Sequence, residues 1–223
     1  MELQTIIVVV LIVSVTYFYF KRKHSLQLAY IQSYKFNSVL GKKVKGKYPH
    51  LNEEQIVIVF DALRDYFTIC NQAKKRMVAM PSQVVDVAWH EFILFTRAYE
   101  TFSKKAIGRF LHHTPTEAMN TPTLANDGIK RVWRLACANE NISPSSPNRL
   151  PLLFAIDSML NIEDGFTYSL NCKDKSSVNY GDGYCAGHIG CASGCGGDSA
   201  PSSDSGGFFG GGSDCGGGGC GGD

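Results

Sequence analysis

The longest feature of the hydrophobic pattern lies at the start of the chain. From Leu3 to Phe20, eighteen residues carry no charge, and Ile6 to Val13 are all aliphatic. A helix of that length advances about 27 Å, close to the thickness of a bilayer's hydrocarbon core. Tyr17, Phe18, Tyr19 and Phe20 follow where a headgroup layer would begin, and Lys21-Arg22-Lys23 come next. The pattern predicts a transmembrane anchor over residues 1–23 with aromatic and basic interface residues. A cleaved signal peptide is the competing reading. It would need a basic region before the apolar run and a small-residue cleavage site after it, and neither is present.

Beyond the anchor the period becomes helical. Leu51 to Cys70 has Asn52 as a capping residue, Gln55 at the capping-box position, and Leu51 with Ile56 as a hydrophobic staple. Ile56, Phe60, Leu63, Phe67 and Cys70 then mark one buried face. A second helix is predicted after Pro81-Ser82, with Val85, Trp89, Phe92, Thr96 and Tyr99 on one stripe; Val87, Leu94 and Ala98 on other faces predict burial on more than one side. Asn126 or Asp127 can cap a helix carrying Ile129, Val132, Trp133 and Ala136. Leu150 to Ile162 and Leu26 to Leu40 complete the set. No run of alternating strand pattern occurs, so the expectation is an all-α domain of four to five helices over residues 24–180.

Composition changes the picture at the C-terminus. Residues 181–223 hold 18 of the 23 Gly, five of the eight Cys, five Asp and no Lys or Arg. Such a segment buries too little apolar surface to offset its ordering entropy, which predicts a disordered tail. The net charge of +2 therefore conceals a basic body and an acidic tail. Between Lys21 and Lys47 there are eight bases and no acid, against Glu2 alone on the other flank. The positive-inside rule puts the N-terminus outside and the rest of the chain in the cytoplasm, at the cell (inner) membrane.

Two sets of residues could carry chemistry. Cys185, His188, Cys191 and Cys195 offer four soft ligands at short spacings, a set that suits tetrahedral zinc, although Gly-Cys low complexity yields such spacings cheaply. In the second helix, Asp86 and His90 are four residues apart, with Arg97 two turns on. An antiparallel return of the chain after Gly108 could bring His112 and His113 to them. Two imidazoles and a carboxylate suffice for zinc or non-haem iron, and His with Asp also makes a general base. The plainer alternative is that Asp86 orients His90 and pairs with Arg97 to hold a buried helix in register. Cys70 and Cys137 sit on apolar helical faces and read as core residues. No phosphate-binding loop, nucleophile elbow or His-Glu-x-x-His motif occurs.

The stretch from Met80 to Phe92, with Val85-Asp86-Val87-Ala88-Trp89-His90 at its centre, is followed by Tyr99 and by Gly108-Arg109-Phe110-Leu111-His112-His113. This pattern resembles the glycine-rich domain-containing protein family, in which a Val-Asp-x-x-Trp-His helix precedes a tyrosine and a histidine-containing turn. The resemblance implies a helical fold and singles out Asp86, Trp89, His90, Tyr99, His112 and His113. It implies no reaction.

Three functions fit these features. The first is a membrane-tethered binding or scaffold protein whose partners are the lipid bilayer and another protein, with a metal-binding tail. The second is a metal-dependent enzyme using Asp86, His90 and His112 or His113. In the third, Lys42, Lys43, Lys45 and Lys47 bring the domain onto anionic lipid. Nucleic-acid binding is disfavoured, because the basic residues lack interleaved aromatics and the tail is acidic.

Overall fold

Asn52 opens the central helix of the domain as its sequence dictates. Its side chain accepts from the Gln55 amide at 2.8 Å, and the Gln55 side chain accepts from the Asn52 amide at 2.9 Å. The helix that follows, α3 (Glu53–Ala73), buries Ile56, Val59, Leu63, Tyr66, Phe67 and Cys70. The computed structural model describes residues 2–113, 122–170, 184–185 and 189. Around α3 stand α1 (Glu2–Ser33), α2 (Ser38–Lys47), α4 (Gln83–Leu94), α5 (Thr96–Ala106), α6 (Pro122–Asn139) and α7 (Leu152–Met159). The fold is all-α, as the periodicity predicts. Among the described residues the one extended pairing is a parallel contact of β1 (Tyr168–Ser169) with β2 (Tyr184–Cys185), and Ile189 packs against the core.

α1 is one continuous helix through the basic flank. Its apolar half, including Ile6 to Val13 and Tyr17 to Phe20, stands exposed, and by length and composition it can cross a membrane. Its C-terminal half packs on α3 and α5, so the exposed apolar segment and the domain share one helix.

The helix count exceeds four to five because two predicted helices are each broken. Residues 34–37 leave the helix between α1 and α2, and Asn37 caps α2 by accepting from the Val39 amide at 2.9 Å. In this non-helical stretch both Tyr34 and Phe36 reach the aromatic core, Tyr34 to Phe102 (4.6 Å between centroids) and Phe36 to Phe92 (5.2 Å). The helix after Ser82 breaks at Phe95, and α5 turns back so that Tyr99 and Phe102 pack on Phe92 at 5.3 and 5.4 Å. Offset and edge-on ring pairs of this kind add stabilisation beyond their buried area. A further correction concerns α6, which starts at Pro122, leaving Asn126 and Asp127 inside it rather than at its cap. Proline suits a first helical position, because the amide it lacks would have no intrahelical partner there.

The buried Asp157 of α7 locks α4 in place. Its carboxylate accepts from the Ser82 hydroxyl (2.7 Å) and from the amides of Gln83 (2.7 Å), Val84 (3.2 Å) and Phe166 (2.9 Å). Ser82 itself caps α4 by accepting from the Val85 amide at 3.3 Å. The first turn of the helix that carries the candidate site is thus held by a charged acceptor, which also complements the helix dipole.

Candidate functional site

With α4 fixed at its N-terminus, the helical repeat decides which side chains share a face. Val85, Trp89 and Phe92 turn inward, while Asp86 and His90 lie one turn apart on its outer side. Asp86 Oδ2 lies 3.1 Å from His90 Nδ1. The chain beyond α5 then returns antiparallel, placing His113 Nε2 at 3.1 Å from Asp86 Oδ1. The two imidazole centroids are 4.1 Å apart, and one ligand atom from each of the three residues lies within 4.8 Å of the others.

What delivers His113 is a chain of buried polar contacts. The Trp89 indole N–H donates to the Tyr99 hydroxyl at 3.1 Å, and that hydroxyl donates to the Leu111 carbonyl at 2.5 Å. All three residues are buried, so each of these polar groups needs its partner. The Trp89 ring also packs edge-on against His113, with centroids 4.5 Å apart. Gly108, at φ +81, makes the turn that begins the return.

The predicted antiparallel return is therefore present, and it selects His113. His112 is exposed and packs on the Phe110 ring at 4.8 Å, and it takes no part in the cluster. Arg97 does not pair with Asp86, because the break at Phe95 takes it off the α4 face; among the described ion pairs Asp86 faces only the two histidines. Trp89 and Tyr99 belong to the sequence motif, but no local signal in the sequence shows that they hold the turn. Of the tail set, His188, Cys191 and Cys195 lie outside the described residues, and only the backbone of Cys185 is described.

Exposure is graded across the cluster. The His113 side chain is 13% exposed and Asp86 23%, while His90 at 49% opens the cluster to solvent. Three protein ligands with an open side is the pattern of zinc sites that keep a water position, and of two-histidine, one-carboxylate iron sites. Ligand nitrogens must present lone pairs, so a metal here would require the ring protons on His90 Nε2 and His113 Nδ1.

The core cysteines offer no nucleophile. Burial pushes the Cys70 thiol up to about 12 and the Cys137 thiol up to about 11, which leaves little of the reactive thiolate at neutral pH.

The fold and this cluster define a helical domain with a two-histidine, one-carboxylate arrangement, carried on an N-terminal helix long and apolar enough to cross a membrane. The chain belongs to the UCP032817-like family, whose model matches residues 26–189. The matched region starts after the apolar half of α1 and includes Asp86, His90 and His113. Comparisons with curated proteins and with solved structures gave no match.

Proposed function

We propose that this protein is a membrane-anchored metal-binding module, with α1 crossing the bilayer and Asp86, His90 and His113 holding a divalent transition metal. The observation that carries the reading is the convergence of those three side chains through the Trp89–Tyr99–Leu111 chain. Zinc and iron fit the donor set, and such an ion would supply Lewis acidity at the open side. The charge pattern around α1 supports an N-terminus outside and a cytoplasmic domain. The resemblance of Met80–His113 to the glycine-rich domain-containing family supports treating the motif residues as one unit.

The test is elemental analysis of the full-length protein purified in detergent. We expect near-stoichiometric metal that is lost in Asp86→Ala and His113→Ala and retained in His112→Ala. A Cys191→Ser/Cys195→Ser variant separates any metal held by the tail. Metal-free wild type, or metal unchanged in Asp86→Ala, would overturn the reading. Asp86 would then act only as acceptor for the two imidazoles, and a tethered interaction module would be the function to pursue.

A further inference from the structure

Where α1 leaves its apolar half and meets the domain, two grooves lie side by side. One, of ≈ 700 Å3, is edged by Tyr19 and Tyr30 and lined by the bases Arg22, Lys23, Lys104 and Lys105. The other, of ≈ 630 Å3, is edged by Tyr17 and Phe20 and lined by Lys21, Lys23, Lys74, Lys75 and Arg109. They share Lys23, Gln27 and Gly108. Gly108 makes the shared wall possible, because its φ is +81 and a Cβ there would stand 3.1 Å from the Gln27 side-chain nitrogen.

No carboxylate lines either groove. Of these bases, only Lys104 has an ion-pair partner among the described residues, Glu100 at 2.6 Å. Lys105 lies over the Tyr30 ring at 5.7 Å, and Arg109 donates to the Lys74 carbonyl at 2.7 Å. The cationic surface is built by three segments distant in sequence: the flank of α1, the turn after α3 and the end of α5. The lysines that the sequence favours for lipid contact are differently placed, since Lys45 pairs with Glu53 at 2.8 Å and Lys47 with Asp164 at 2.9 Å.

Depth fixes the partner's class. From Phe20 to Gln27 a helix advances about 10 Å, and a headgroup layer is about 5–8 Å deep. With the apolar half of α1 in the hydrocarbon, both grooves start at headgroup level, with Tyr17, Tyr19 and Phe20 on the side of the acyl chains and Tyr30 on the side of the domain. We infer that these paired grooves bind the anionic headgroups of leaflet phospholipids, so that lipid docks the domain against the membrane at a fixed tilt. The inference rests on the membrane-anchored reading of α1 and is independent of the metal cluster.

The test uses the full-length protein in nanodiscs of phosphatidylcholine and phosphatidylglycerol, with retained lipids counted by native mass spectrometry. The wild type is expected to retain phosphatidylglycerol preferentially. Lys74→Gln/Lys75→Gln and Lys104→Gln/Lys105→Gln should each lower that preference, by about fivefold per base removed, the equivalent of about 1 kcal/mol. Lys42→Gln/Lys43→Gln, a change in exposed bases outside the grooves, should leave it unchanged. Equal retention of the two lipids would overturn the inference, as would a preference that survives both groove variants or that millimolar inorganic phosphate abolishes. Alkaline carbonate extraction separates the two levels. Protein released from membranes by carbonate refutes the anchor and the lipid site together, whereas protein that stays without lipid preference refutes the lipid site alone.

Discussion

The Tyr99 hydroxyl donates to the Leu111 carbonyl at 2.5 Å while accepting from the Trp89 indole, so one buried oxygen ties α4, α5 and the returning chain together. Tyr99→Phe preserves the ring and removes only that oxygen. It leaves a buried N–H and a buried C=O unsatisfied, with an expected loss of about 2–4 kcal/mol. Because the turn that carries His113 is released, metal affinity should also fall, by about 10–100-fold. Denaturant unfolding and metal titration of the same variant read both effects. A variant that loses stability with unchanged metal affinity would show that Leu111 does not position His113.

Asp157 should be among the least replaceable polar residues of the fold. Asp157→Ala strips the acceptor from three backbone amides and the Ser82 hydroxyl, all at the N-terminal end of α4 or beside it. The expected cost is about 3–5 kcal/mol, because several donors lose the one acceptor they share inside the fold. Ser82→Ala removes one donor to Asp157 and one cap to Val85, and should cost about 1–2 kcal/mol. Urea midpoints of the two variants should keep that order.

The start of α3, the start of α4 and the buried character of Cys70 and Cys137 follow from local signals, and the structure has them where the pattern puts them. The pairing of His90 with Asp86 was visible as an i, i+4 spacing. The choice of His113 over its neighbour depends on a turn held by Trp89 and Tyr99, which no local rule supplies. The two helix breaks escaped for the same reason. At both, an unbroken apolar stripe in the sequence is consistent with one long helix, and only packing of Tyr34, Phe36, Tyr99 and Phe102 around Phe92 decides for two. Asp157 gave no sequence signal, because it sits within a helix among apolar residues and its partners are 73 to 75 positions earlier or nine later.

Gly165 should tolerate no side chain. A Cβ there would lie 2.7 Å from the Asp157 Cβ and 2.9 Å from the Ile162 carbonyl oxygen. That carbonyl already accepts from the Gly165 amide at 3.0 Å, so the backbone cannot retreat without losing the bond. Gly165→Ala should cost about 1–3 kcal/mol, the range for overpacking a filled site, and thermal unfolding would show it. The change also presses on the residue that holds α4, so Gly165→Ala and Asp157→Asn should combine non-additively in a double-mutant cycle.

Asp65 predicts how stability varies with pH. Burial pushes its carboxyl up to about 6 from an ordinary 3.8, with repulsion from Glu140 and Asp61 adding to the rise and Arg64 opposing it. The folded protein therefore holds this proton more tightly than the unfolded chain does. Between these two values the native state binds more protons, so this residue's contribution makes stability fall as pH rises, with the full penalty present above about pH 6. At about 1.4 kcal/mol per pKa unit, the penalty is at most about 3 kcal/mol. Asp65→Asn removes the titration and keeps the shape. It should be more stable than the wild type by about 1–3 kcal/mol at pH 7.5, with the advantage shrinking towards pH 4. All other titrating groups are common to the two proteins, so the difference between their unfolding free energies isolates Asp65. A difference that stays constant from pH 7.5 to 4.5 would mean that the half-buried carboxyl ionises as freely in the folded protein as in the unfolded chain.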